Sequence, residues 1–161
     1  MKTITLGIAE LRIAQSPDKL ATLGLGSCVG LVIYDPVSKI SGMIHIMLPT
    51  APRGAVVASK YKYADTGIIE LIRLLTAQGA LRSRLVAKAA GGAHMFNASY
   101  NNDVINIGQR NIEMCQKVLK ESSIALIAED TGGSSGRSIE FCCESSKLEI
   151  RTVSPRNVRV I

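Results

Sequence analysis

Apolar residues recur along this chain with two different periods. Between Tyr61 and Gln78, Ile68, Leu71, Ile72 and Leu75 follow the i, i+3, i+4, i+7 spacing of one helical face. Gly79 stands where a left-handed C-terminal cap is expected. A second helix reads over roughly Gly108–Ser122, with Ile112, Cys115 and Leu119 on one side and Asn106 as its N-cap. The remaining apolar runs are short and rich in β-formers. They are Thr3–Ile8, Ala21–Leu25, Val29–Tyr34, Gly42–Leu48, Leu85–Ala90, Ala125–Ala128, Ser138–Cys142 and Leu148–Val153. Strands that precede, separate and follow two helices argue for an α/β domain with mixed or antiparallel sheets, not a regular βαβ winding. The segment Asp35-Pro36-Val37-Ser38-Lys39 reads as the turn of a hairpin joining Val29–Tyr34 to Gly42–Leu48.

Composition narrows this picture. The 161 residues suit one domain spanning 1–161, and no linker, repeat or low-complexity segment divides them. With 47% hydrophobic residues, 4% aromatic and no Trp, the core must be built from Ile, Leu, Val, Ala and Met. No apolar stretch approaches the ~18–20 residues of a membrane span, so no membrane insertion is expected. The first residues lack the apolar region of a signal peptide, so a reducing cytoplasm is the expected compartment. There Cys28, Cys115, Cys142 and Cys143 are expected to stay reduced. Cys115 reads as core, and Cys142 and Cys143 point to opposite sides of a strand, so that one is buried. The cysteines with His45 and His94 match no familiar zinc spacing, and no metal site is expected.

A net charge of +6 fits either an acidic protein partner or an ordinary solvated surface. Basic and aromatic residues do not interleave, so nucleic acid is not an expected ligand. Neither Ala90-Gly91-Gly92-Ala93 nor Thr131-Gly132-Gly133-Ser134-Ser135-Gly136-Arg137 has the form of a phosphate loop or dinucleotide fingerprint. Both read as tight turns walling a cleft.

Candidate chemistry concentrates in Thr22-Leu23-Gly24-Leu25-Gly26-Ser27-Cys28-Val29-Gly30. A single thiol follows a Gly-x-Gly bend, and a lone imidazole, His45, sits in the next apolar run. Taken singly, Cys28 reads more readily as core filler than as a nucleophile, and His45 as a satisfied core histidine. Together they supply what a cysteine nucleophile requires, because the thiolate is the reactive form and an adjacent base raises its population. The glycines also suit a backbone that approaches a ligand closely, leaving amides at Ser27 and Cys28 as candidate oxyanion donors.

Several runs in order resemble the CheD family of chemoreceptor glutamine deamidases. They are Leu23–Val29, Asp35-Pro36, Gly42–Pro49, Lys62–Asp65, Lys88–Phe96, Asn106–Asn111 and Asp130–Arg137. The resemblance covers nearly the whole chain. It implies a layered α/β sandwich, similar to the deamidase domain of cytotoxic necrotizing factor. It implies a triad of Cys28, His45 and Thr22, no cofactor, and glutamines on the helical cytoplasmic domain of chemoreceptors as substrate. It also implies the CheC phosphatase as a regulatory partner, with Met95 and Phe96 as candidate substrate or partner contacts.

The residue types agree with that chemistry. Cys28 would attack the glutamine carboxamide, His45 would move the protons, and the Thr22 hydroxyl would orient the imidazole. Two alternatives stay open. One is a non-catalytic module that docks on receptors or CheC. The other is a different cysteine acyl transfer, such as proteolysis, transamidation or methyl-ester hydrolysis, which the same three residues would serve.

Overall fold

A computed structural model of the chain describes residues 1–54, 59–95 and 106–161. Two five-stranded sheets lie face to face, and two helices cover the outer face of one of them. The strands are β1 (Thr3–Leu6), β2 (Leu11–Gln15), β3 (Lys19–Leu25), β4 (Val29–Asp35) and β5 (Ile40–Ile46), then β6 (Val86–Gly91), β7 (Ala125–Thr131), β8 (Arg137–Cys142), β9 (Leu148–Val153) and β10 (Arg156–Val160). The helices are α1 (Ala64–Ala77) and α2 (Ile107–Glu121). The first sheet runs β1-β3-β8-β9-β10 and the second β2-β5-β4-β6-β7. Each contains one parallel pair, β1 with β3 and β6 with β7, and is otherwise antiparallel. The expected mixed α/β class is therefore what the chain adopts.

The hairpin read at Asp35–Lys39 joins β4 to β5, pairing Val29 with Ile46 through Asp35 with Ile40. The Asp35 carboxylate ties this turn down. It accepts from the backbone N–H of Val37, Ser38 and Leu81 and takes a bidentate contact from Arg84. These donors hold its carboxyl far below the usual carboxylate range.

Strands β4 and β5 are buried at every position, which explains why their sequences read as continuous apolar runs. Alternate residues serve two different cores. Val29, Leu31 and Ile33 of β4 and Ile44 and Ile46 of β5 face the helices, meeting Ile68, Leu71 and Leu75 of α1. Val32, Tyr34 and Met43 face the other sheet, meeting Leu20, Ile139 and Phe141. Cys115 is buried on the inner face of α2, and Cys143 is buried while Cys142 is not.

Helix α1 starts at Ala64 rather than Tyr61, because Lys60–Lys62 form a separate 3-10 turn. Its expected cap is present: Gly79 follows it with φ +107°. Asn106 caps α2 as expected, its side chain accepting from the Gln109 N–H. The strand expected over Gly42–Leu48 is displaced to Ile40–Ile46, since the turn closes earlier and Leu48 forms only an isolated bridge to Tyr63. Strands β2 and β10 were not among the expected elements. The second is exposed along its whole length, so it carries no burial alternation to read.

Candidate active site

Cys28 lies one residue before β4, and Gly30, two residues on, pairs directly with His45 of β5. The two-residue period therefore sends Cys28, Gly30 and Val32 to the same side of the sheet as His45 and Met43. That side is the layer between the two sheets, against which Cys28 packs. The thiol is half-buried, and His45 is fully buried.

Thr22 reaches the same layer from the opposite sheet. The pairing of β3 with β8 shifts register between Thr22 and Leu25. This bulge, with Gly24 at φ +69°, changes the parity of the strand. Leu20 and Thr22 point inward before it, Leu23 points to solvent, and Leu25 points inward after it.

The Thr22 hydroxyl lies 2.7 Å from His45 Nδ1 and 2.8 Å from the Leu6 carbonyl oxygen. A hydroxyl has a single proton, and a carbonyl can only accept. Thr22 therefore donates to Leu6 and accepts from His45 Nδ1–H. This fixes the neutral imidazole as the Nδ1–H tautomer and leaves Nε2 with a free lone pair. Nε2 is buried and has no hydrogen-bond partner among the described residues, so it is not bonded to the Cys28 sulfur.

Burial raises the Cys28 thiol above its ordinary 9.0, with its own backbone N–H pulling the other way. Burial also lowers His45 below 6.5. The resting pair is thus a neutral thiol beside a neutral imidazole with its basic nitrogen unengaged.

The loop bearing Cys28 is held from behind. The Ala93 N–H donates to the Gly26 carbonyl, and the Gly92 N–H donates to the Cys28 carbonyl, both at 2.8 Å. Gly91 and Gly92 both have positive φ, +112° and +65°, and a side chain at Gly91 would collide with the Cys28 carbonyl. The glycine pair read as a tight turn thus brings its backbone against the cysteine loop.

Between those two contacts, Asn111 of α2 donates from Nδ2 to the Ser27 carbonyl at 2.9 Å and to the Met47 carbonyl at 3.1 Å. Asn111 is fully buried. The sequence reading passed over it as a functional residue. The available signal was a polar residue on the same helical face as Ile112, Cys115 and Leu119.

Met95 lines a cleft of about 550 Å³ with Gly24, Gly26, Ser135 and Arg151, where Ser134–Arg137, the second half of the glycine-rich turn, form one wall. Phe96 lies outside the described residues. Among the described residues, no cluster of His, Cys, Asp or Glu could hold a metal ion, and no helix is long and apolar enough to cross a membrane.

Comparison with known proteins finds relatives over nearly the whole length of the chain. Residues 47–152 match the family described as CheD chemotactic sensory transduction. A relative from Halalkalibacterium halodurans named chemoreceptor glutamine deamidase CheD is 50% identical over 93% of each chain. Others from Lachnoclostridium phytofermentans (50% identical, 93% of each chain) and Caldanaerobacter subterraneus subsp. tengcongensis (46% identical, 94% of each chain) are named probable chemoreceptor glutamine deamidase CheD. The chain belongs to the CheD family. A solved structure, the Bacillus licheniformis hypothetical protein YfiH, aligns over 76% of this chain and 50% of its own with TM-score 0.48 and 16% identity, too distant to bear on fold or function.

Proposed function

We propose that this protein is a chemoreceptor glutamine deamidase that acts through Cys28, His45 and Thr22. The observation that carries the reading is its nearly end-to-end similarity to relatives named for that activity. The buried Thr22–His45 pair beside a half-buried thiol supports it from the chemical side.

In this reading, His45 Nε2 takes the Cys28 proton as a receptor glutamine arrives, because neither group is charged at rest. The thiolate attacks the carboxamide carbon and a tetrahedral oxyanion forms. Collapse breaks the C–N bond, and the imidazolium returns the proton to the departing ammonia. Water, deprotonated by the same nitrogen, then hydrolyses the thioester, regenerating the thiol and leaving glutamate. Thr22 keeps the imidazole in the productive tautomer throughout.

The substrate is the helical cytoplasmic domain of a chemoreceptor, and CheC is the regulatory protein partner. Met95 contributes to the substrate or partner contact from the cleft beside Gly26. No cofactor enters the reaction, and the site of action is the cytoplasm.

The test is incubation with a purified receptor cytoplasmic fragment, followed by ammonia assay and peptide mapping. Deamidation adds about one dalton per glutamine with the chain uncut. The Cys28→Ala variant is expected to release no ammonia while still binding receptor and CheC. Wild-type turnover by Cys28→Ala, or cleavage in place of the mass gain, would overturn the reading.

A further inference from the structure

We infer that Asn111 is a positioning residue that aims the backbone N–H of Cys28 at the oxyanion of the reaction. The inference rests on the reading of Cys28 as the nucleophile.

The argument begins with the peptide plane. In a trans peptide, the C=O of one residue and the N–H of the next point in opposite directions. Whatever holds a carbonyl on one side therefore fixes the following amide on the other. The Gly26 carbonyl is held by the Ala93 N–H, which turns the Ser27 N–H away from the β6 end. The Ser27 carbonyl is held by Asn111 Nδ2, which turns the Cys28 N–H away from α2. Among the described residues, neither the Ser27 nor the Cys28 N–H has a hydrogen-bond acceptor. Two successive donors are thus fixed from behind and unengaged in front, as preorganised stabilisation of a developing charge requires.

The Cys28 N–H belongs to the residue that bears the thiol, and the amide of a nucleophile is a donor that an oxyanion formed at that nucleophile can reach.

Asn111 is suited to holding the loop in a way that a water molecule is not. It is fully buried, and both Nδ2 protons go to carbonyls from different elements: Ser27 before β4 and Met47 just after β5. The strands that carry the thiol and the imidazole are thereby locked to each other. The amide orientation follows from those two acceptors, and it leaves Oδ1 buried without a partner. Helix α2 can bring Asn111 this close because Gly108, one turn earlier, lies against the backbone of Gly92 and Ala93, where a side chain would collide.

The test compares wild type, Cys28→Ala and Asn111→Asp on a receptor cytoplasmic fragment. Asn111→Asp keeps the side-chain shape and replaces the donor with a carboxylate. Each protein is assayed for steady-state ammonia release across receptor-fragment concentrations and for alkylation by iodoacetamide, a displacement at carbon in which no oxyanion forms. With Cys28→Ala as the blank, Asn111→Asp is expected to lose about thirtyfold or more in kcat, with KM changed less than about threefold. Its Cys28 alkylation at equal pH should stay within about threefold of wild type.

If Asn111→Asp fails to fold, Asn111→Ala carries the same comparison without an added charge. Inactive Cys28→Ala with wild-type kcat in the Asn111 variant would overturn the aiming role and leave the nucleophile standing. Equal loss of deamidation and alkylation would also overturn it, making Asn111 a general support of the loop. Full activity in Cys28→Ala would instead remove the reading on which the inference rests.

Discussion

Strand β5 divides its residues between two cores that have the same burial and different content. Toward the helices, Ile44 and Ile46 meet Ile68, Leu71 and Leu75, and the contact is hydrocarbon throughout. Toward the other sheet, His45 is buried to the same degree, but its ring is bonded to the Thr22 hydroxyl. The helical layer depends on shape and area, which are adjustable by neighbouring side chains. The layer between sheets depends on the direction of single hydrogen bonds, and a lost partner there strands a buried polar group. Stability and chemistry thus occupy opposite faces of one strand. Substitutions on the two faces are expected to separate them.

The largest separation should come from Leu71→Ala set against His45→Ala. Leu71 is fully buried under the helical layer. Its truncation is expected to cost about 3 kcal/mol in urea unfolding, leaving turnover per folded molecule near wild type. His45→Ala is expected to cost about a hundredfold or more in single-turnover deamidation. A hundredfold loss of turnover in folded Leu71→Ala would erase the division between the faces.

The β4–β5 turn sets the register that places Gly30 opposite His45, and it belongs to neither core. Asp35→Asn keeps the shape of that anchor and removes the charge held by Arg84, which is itself partly exposed. About 2–4 kcal/mol of stability should be lost at neutral pH. The native carboxyl is depressed below 3.8, so its contribution is full above that value and disappears as the pH falls through and beneath it. Wild type and Asp35→Asn should therefore converge in stability in acid, as measured by denaturant midpoints across pH. Unchanged separation at low pH would mean that charge is not what the anchor supplies.

Legibility in the sequence followed the same division. The helical core was readable because Ile68, Leu71, Ile72 and Leu75 repeat at the period of the helix they lie on. The β4–β5 hairpin was readable because the Asp35–Lys39 turn lies between two uninterrupted apolar runs. Strand β2 escaped because its alternation, Leu11, Ile13 and Gln15, is short and sits at a sheet edge. In the site, Cys28 and His45 could be paired through the hairpin. Thr22 lies on a strand of the other sheet, and no local period encodes how two sheets stack; it entered through resemblance to a family. Asn111 was hidden for a related reason. Its two acceptors are backbone carbonyls far along the chain, and a carbonyl has no sequence signature.

The hydroxyl between the sheets should have a smaller effect than the imidazole it holds. Thr22→Val keeps the β-branched shape and deletes the bonds to His45 and Leu6. The expected loss is about 1–2 kcal/mol of barrier, or roughly ten- to thirtyfold in single-turnover rate. Inactivity equal to that of His45→Ala in a folded Thr22→Val protein would give Thr22 a more direct part. Full activity would remove it from the triad and point to another group as the orienter of His45.

The smallest effect expected is a displacement on the pH axis. In the layer between sheets, burial favours neutral imidazole, so His45 titrates below 6.5. Deamidation requires an unprotonated Nε2, so its acid limb should have a midpoint below that value rather than at it. The linked stability has a definite sign. Below 6.5 the unfolded chain takes up a proton that folded His45 resists, so stability falls with pH until the folded group also titrates. Above 6.5 both states are neutral at this group and no dependence remains. NMR titration of the His45 ring in wild type, compared with the acid limb of wild-type kcat/KM, would check both expectations. A ring midpoint well above neutrality would mean that His45 is charged at rest and paired with the thiolate. The layer between sheets would then carry a preformed ion pair, and the proton would already have moved before substrate arrives.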